Sequence, residues 1–281
     1  MKERAYAKIN LCLDVVGRRD DGYHELKMIM VPIGFYDILE MNIADETSLE
    51  INRSYLPVNE KNTIIKAIRI MQETYGIREE FACRLSKHIP TRAGLAGGSA
   101  DAAAAIRMIS RMLHMNLSMD EMIEIGRQVG ADVPFCIMNK PALVEGIGEK
   151  IMPFKCRPDF DILLVKTRKG VSTKEAFDIV DSSEHEHPDC MKMMNVLIMN
   201  DYEGVVSSLG NSLETAAVQL VKEIRDVKNR MNEMGFDGVL MSGSGSTVFG
   251  ITRNQDLLDE AMEQLRNEKY FVRKTRIYTG E

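Results

Sequence analysis

The stretch that most constrains this chain is Ile89-Pro90-Thr91-Arg92-Ala93-Gly94-Leu95-Ala96-Gly97-Gly98-Ser99-Ala100-Asp101, which runs directly into Ala102-Ala103-Ala104-Ala105. Gly94, Gly97 and Gly98 lack a Cβ, so the backbone can take positive φ there and lie against a bulky anion. Ser99 and Asp101 are N-cap candidates, and Ala102, Ile106, Ile109 and Leu113 follow as an apolar helical stripe. A helix starting here aims free N–H groups and its positive dipole end at the loop, where a phosphate would sit. The same residues also fit a plain glycine turn that packs small side chains, and they do not say which anion. The stretch is not the common P-loop: the nearest match to that motif, Gly17 to Gly22, is followed by Tyr23 instead of lysine. The dinucleotide fingerprint is also missing.

At 281 residues the chain can hold one large domain or two ordinary ones. A boundary is expected near residue 150, after Glu145-Gly146-Ile147-Gly148-Glu149-Lys150, giving an N-terminal domain 1–150 and a C-terminal domain 151–281. The net charge of −6 gives no general attraction to nucleic acid. Cys12, Cys83, Cys136, Cys156 and Cys190 are widely spaced and odd in number, which argues against a zinc site or disulfide framework and suits a reducing cytoplasm. No apolar run approaches the roughly 18 residues of a membrane span, and Met1-Lys2-Glu3-Arg4-Ala5-Tyr6 lacks a signal-peptide core. No membrane partner is therefore expected.

Strand and helix patterns are mixed without a repeat, so the class is α+β or α/β. Residues 5–16 alternate, with Ala5, Ala7, Ile9, Leu11 and Leu13 on one face and Tyr6, Lys8, Asn10 and Cys12 on the other, as in a half-buried strand. A second strand is expected at 25–31 after the Asp21-Gly22 turn. Asn62 can cap a helix carrying Ile65, Ile68 and Met71, and Ser118 with Glu121 forms a capping-box pattern. In the second half, strand Ile162-Leu163-Leu164-Val165 precedes a polar loop over 181–190. His185 and His187 in that loop are spaced to share a metal, but no further ligand cluster accompanies them. One long helix is expected from Ala217, Val221, Ile224, Val227 and Met231. Strand Val239-Leu240-Met241, the loop Ser242-Gly243-Ser244-Gly245-Ser246, a strand at 247–251, a helix capped by Asn254 and a last strand at 271–278 complete a small sheet with helices on one face.

Lys8 sits mid-strand and Asp132 lies in Gly130-Ala131-Asp132-Val133-Pro134. Singly, one reads as a solvated strand lysine and the other as a turn aspartate before proline. Phosphoryl transfer would give both a task. An aspartate can accept the proton of an attacking hydroxyl, and a lysine can counter charge on the transferred group, while loop N–H groups and Mg²⁺ hold the phosphates.

The order of these pieces supplies a resemblance. Ala7-Lys8-Ile9-Asn10-Leu11, Gly17-Arg18-Arg19-Asp20-Asp21-Gly22-Tyr23-His24-Glu25-Leu26, the loop from Pro90, Gly130-Ala131-Asp132-Val133-Pro134-Phe135, Gly146-Ile147-Gly148-Glu149 and Met241-Ser242-Gly243-Ser244-Gly245-Ser246 resemble the GHMP kinase superfamily. Within it they resemble the kinases of cytidine-diphosphate-linked methylerythritol, from residue 5 to about 250. The Gly-Tyr-His and Gly-Ala-Asp-Val-Pro segments set the chain apart from galactokinase, homoserine kinase and mevalonate kinase relatives. The resemblance implies an α+β fold with an N-terminal α/β domain (ribosomal protein S5 domain 2-like) and a ferredoxin-like C-terminal domain. It implies ATP and Mg²⁺, Lys8 and Asp132 as catalytic pair, Pro90 to Ala100 as the ATP phosphate site, and Asn62 near the adenine. Asn10, Tyr23 and His24 would meet the small-molecule substrate, His24 reading cytosine and Tyr23 stacking on it, with Phe177 as the opposite stacking face. Many relatives carry a second serine where this chain has Ala100. A cytoplasmic monomer or homodimer is expected; a kinase of another small alcohol and a non-catalytic nucleotide-binding regulator are the alternatives.

Overall fold

A computed structural model describes residues 1–280, which form two compact units, each assembled from separate chain segments. The first holds Met1–Lys8, Phe35–Pro90 and Ala96–Asn139; the second holds Ile9–Gly34, Thr91–Leu95 and the chain from Lys140 onward. Two long strands, β1 (Lys2–Arg18) and β2 (His24–Ala44), run through both. Hence β2 extends well beyond the 25–31 expected after the Asp21-Gly22 turn. The half-buried reading of β1 is also corrected: residues 7–13 are buried on both faces, Lys8 and Asn10 included.

In the first unit the later part of β2 pairs antiparallel with β4 (Glu80–Ser86), and β3 (Ser48–Ile51) lies parallel to β4. Helix α1 (Thr63–Tyr75) starts where the Asn62 side chain accepts the Ile64 N–H at 2.9 Å, a cap worth about 1 kcal/mol. It ends at Gly76, in the left-handed region at φ 64°. Helix α2 (Gly97–Met112) is buried on nearly every side from Ala100 to Ser110, a wider burial than the expected stripe. Its run of alanines lets neighbours approach closely. Helix α3 (Met119–Val129) opens on the full Ser118–Glu121 capping box. A short α4 (Val133–Met138) follows, with Pro134 in its first turn, where a missing N–H costs nothing.

In the second unit β2 pairs antiparallel with β5 (Ala142–Gly146), which pairs with β6 (Lys150–Pro153). A four-stranded antiparallel sheet is built from β7 (Asp161–Lys166), β9 (Gly238–Met241), β10 (Thr247–Thr252) and β11 (Phe271–Thr275), in the order β11-β7-β10-β9. That order is the ferredoxin-like arrangement. Between β7 and β9 come α5 (Thr173–Val180), α6 (Cys190–Ile198), α7 (Tyr202–Ser208), the two-residue β8 (Gly210–Asn211) parallel to β1, α8 (Glu214–Leu220) and α9 (Glu223–Met234). The expected single helix through Ala217 and Met231 is thus two helices. Val221 leaves helical geometry at φ −136°, ψ 88°, yet Ala217, Ile224, Val227 and Met231 all stay buried, so the apolar period reads through the break. Asn254 caps α10 (Gln255–Asn267) as expected. The last strand ends at Thr275 instead of 278; beyond it, Ile277 makes an isolated bridge to Ile33.

Candidate active site

The loop before α2 takes left-handed backbone at alternate residues, Arg92 (φ 49°), Gly94 (φ 71°) and Ala96 (φ 53°). Only one of its three glycines therefore uses positive φ. Gly97 and Gly98 are the first two helical residues, and Ala96, not Ser99 or Asp101, occupies the N-cap position without a side-chain bond. Gly97 is needed for space: a Cβ there would lie 2.8 Å from Ile89 Cγ2 and 2.9 Å from Lys87 Nζ. Gly94 is tighter, since a Cβ would fall 2.0 Å from the Ser242 carbonyl oxygen. The Ser242 hydroxyl donates to the Gly94 carbonyl at 3.0 Å, and the Thr247 N–H donates to the Ala93 carbonyl at 3.3 Å. The second glycine loop thus braces the first.

An uncapped helix start with no acidic residue in its first turn keeps its positive end available to an anion. Ser99 is half-exposed in that turn, whereas Ala100 is buried and brings no hydroxyl. Thr63 beside it donates to the Gly98 carbonyl at 2.7 Å, tying α1 to the same turn. Asn62 spends its side chain locally, accepting from Ile64 and donating to the Pro57 carbonyl at 2.8 Å.

Also in the first unit, Lys8 Nζ faces Asp132 Oδ2 at 3.9 Å, the lysine side chain only 5 % exposed and the aspartate 39 %. Lys8 is therefore not a solvated strand lysine. Asp132 stands at the N-cap position of α4 without making the cap bond, so its carboxylate is not consumed by the helix. A buried ammonium presenting itself to an accessible carboxylate is an arrangement that can orient a hydroxyl and receive its proton.

In the second unit, His24 stacks on Phe177 with ring centroids 4.4 Å apart and planes 20° from parallel. Its Nε2 lies 2.6 Å from Asp181 Oδ1, and Arg18 reaches the other oxygen of that carboxylate at 3.2 Å. Tyr23 stands out in solvent at 61 % exposure, while Asn10 is fully buried with its amide on Met28 Sδ at 3.4 Å. The structure therefore brings His24 and Phe177 together. Asp181 was missed because a lone carboxylate in a polar run carries no sequence signal. His185 and His187 are near each other but bond to the Val15 carbonyl and to Asp14; no group of three metal-ligating side chains exists among the described residues.

A second missed set lies beneath the start of α2. Lys87 Nζ donates to Asp37 Oδ2 at 2.5 Å and to Asp101 Oδ2 at 2.6 Å, all three side chains buried. Asp37 also accepts the His88 and Ile89 N–H groups at 2.5 and 2.8 Å. Burial raises the Asp101 carboxyl to about 8, against the opposing pull of Lys87.

This fold and loop define a GHMP kinase: residues 62–140 match the GHMP kinase N-terminal domain and residues 192–271 the GHMP kinase C-terminal domain. The same architecture recurs in the Methanococcus jannaschii mevalonate kinase, at TM-score 0.77 and 18% identity over 99% of this chain and 98% of that one, a likeness of fold alone. More specifically, the chain belongs to the 4-diphosphocytidyl-2-C-methyl-D-erythritol kinase family. It is 44% identical to the family's Clostridium beijerinckii enzyme over 89% of this chain and 90% of that one. A crystal structure of a 4-(cytidine 5'-diphospho)-2C-methyl-D-erythritol kinase superposes at TM-score 0.82 and 30% identity, covering 98% of this chain and 99% of that one.

Proposed function

We propose that the chain transfers the γ-phosphoryl group of ATP to the 2-hydroxyl of 4-diphosphocytidyl-2-C-methyl-D-erythritol, giving the 2-phosphate and ADP in the non-mevalonate route to isoprenoid precursors. The observation that carries this reading is the Lys8–Asp132 pair at 3.9 Å in a chain of this kinase family. Asp132 orients the acceptor hydroxyl and takes its proton, which leaves the oxygen free to attack phosphorus. Lys8 holds Asp132 in place and counters negative charge on the transferred group.

Residues Pro90 to Ala100 hold the triphosphate: the left-handed backbone at Arg92, Gly94 and Ala96 and the uncapped start of α2 are features an anion fits. Mg²⁺ bound with the nucleotide would neutralise phosphate charge, and the Ser99 hydroxyl and the Asp132 carboxylate would be the oxygen donors the chain offers it. Asn62 sets the helix beside the adenine. Tyr23 and Phe177 supply aromatic faces for cytosine, His24 its hydrogen-bonding edge, and Asn10 meets the substrate from β1.

Correspondingly, residues 1–150 form the N-terminal kinase domain and 151–281 the C-terminal one, a division supported by the two family matches. No helix among the described residues is long and apolar enough to cross a membrane, and the five free cysteines suit the cytoplasm, as monomer or homodimer. The test is ADP release by purified protein with Mg-ATP and a panel of alcohols. Release with the cytidylylated methylerythritol alone supports the reading, and release with a simpler alcohol at equal kcat/KM overturns its substrate.

A further inference from the structure

Helix α2 closes on a residue its backbone does not favour. The His114 N–H donates to the Arg111 carbonyl at 3.3 Å and the Met115 N–H to the Ser110 carbonyl at 2.9 Å, the paired bonds of a Schellman closure around the C-cap Leu113. Such a closure puts the residue after the cap in the left-handed region, where glycine is usual; here it is His114, at φ 50°. That backbone costs an L-residue about 1 kcal/mol, so the chain keeps an imidazole where glycine would be more stable. Asn116 is left-handed too, at φ 52°, a conformation asparagine tolerates better.

This turn and the start of α3 enclose a cavity of about 340 Å³, the size of a small-molecule site. Ser110, Arg111, His114 and Asn116 open on it, and Leu117 and Met122 give it an apolar wall. Ser110 is only 6 % exposed, and its hydroxyl makes no hydrogen bond among the described residues. A buried hydroxyl left without a partner is unfavourable, so this one is served by whatever enters the cavity. The charge on the wall is positive. Glu3 binds Arg107 Nε at 2.6 Å and also pairs with Arg111, one carboxylate against two guanidinium groups that both line the cavity. Glu121, at the start of α3, is turned to Ser118 in the capping box.

We propose that this cavity binds a small organic anion, an oxyanion head on a short apolar chain, at the end of α2 remote from the phosphate loop. Arg111, His114, Asn116 and the Ser110 hydroxyl supply the donors for the head, and the chain lies against Leu117 and Met122. Ser99 and Ser110 are eleven positions apart on one helix, about 17 Å along its axis, so this is a second site and not an extension of the first. A phosphate monoester and a carboxylate share the chemistry it recognises.

Calorimetric titration of the full chain with n-butyl phosphate, pentanoate and n-butanol tests this. An anion binds with a Kd of about 1 mM or below, the tighter of the two telling phosphate from carboxylate, and butanol, which has the chain without the charge, does not. His114→Gly removes the imidazole and the left-handed strain together. Its urea midpoint therefore rises while its affinity for the anion falls about tenfold, opposite signs that a merely structural histidine does not give. Asn116→Asp is isosteric and suited to the same backbone, but sets a carboxylate on the wall and weakens the anion about tenfold. Asn200→Asp, the same change at an exposed left-handed asparagine outside the cavity, leaves the affinity unchanged. Wild type that binds neither anion, butanol bound as tightly as the anions, or unchanged affinity in either cavity variant overturns the proposal.

Discussion

Replacing Gly94 by alanine separates the bracing role of the second glycine loop from ordinary backbone strain. Gly94 has φ 71°, a conformation that costs an L-residue about 1 kcal/mol. Its new Cβ would also stand 2.0 Å from the Ser242 carbonyl oxygen, a backbone atom, so the two loops must part by about 1.5 Å to restore van der Waals contact. That movement disrupts the Ser242 hydroxyl bond to the Gly94 carbonyl, worth about 1 kcal/mol. The Thr247 bond to Ala93 is weakened with it. Together the loss is about 2–3 kcal/mol, and an ångström's displacement of a phosphate-holding loop costs about 100-fold in kcat/KM for ATP. Gly235, the C-cap of α9 at φ 97°, is the control: nothing lies within 4 Å of its Cβ position, so Gly235→Ala costs only about 1 kcal/mol of strain. Urea unfolding and steady-state kinetics of the two variants decide the matter. Equal destabilisation with an unchanged KM for ATP in Gly94→Ala would refute the bracing argument.

Three further outcomes are expected. Asp132→Asn lowers kcat by about 10³-fold and leaves the Kd for ATP within a few-fold, read by single turnover and calorimetry; turnover equal to wild type removes Asp132 from the chemistry. Asp181→Ala frees the His24 ring and raises KM for the cytidylylated substrate about tenfold without moving KM for ATP, since His24 and Arg18 lose their partner. Burial alone would raise the Asp161 carboxyl, but Arg276, at 2.5 and 3.0 Å, and Gln255 overcome it and bring it below the usual range. Its contribution is complete above the unfolded carboxylate range and is lost as pH falls through the lowered folded value. Arg276→Met therefore flattens the acid limb of a stability-against-pH curve, and an unchanged limb would contradict this.

What the sequence made legible was whatever rests on local chemistry. Asn62, Ser118 with Glu121 and Asn254 cap helices because a short polar side chain before an apolar period has few other uses. The loop before α2 was legible as a glycine turn opening a helix, although besides Gly94 its positive φ falls on Arg92 and Ala96, where side-chain identity gives no warning. Pairings distant in sequence were hidden. Asp37 did leave a trace: it shares a strand face with Phe35, Leu39 and Met41, all buried, and a carboxylate in that company needs a partner. Lys87 and Asp101 could not be matched to it from spacing alone. Val221 breaks a helix with no glycine or proline, so the apolar period passed straight across it.

The proposed reaction delivers phosphate to one hydroxyl of one acceptor. Phosphorus NMR of the product formed from Mg-ATP and 4-diphosphocytidyl-2-C-methyl-D-erythritol tests it most directly. A new monoester resonance is expected, coupled to no proton because the 2-carbon is quaternary, growing in step with ADP while the diphosphate signals persist. A monoester split by carbon-bound protons, or ADP formed without any new ester, would contradict it.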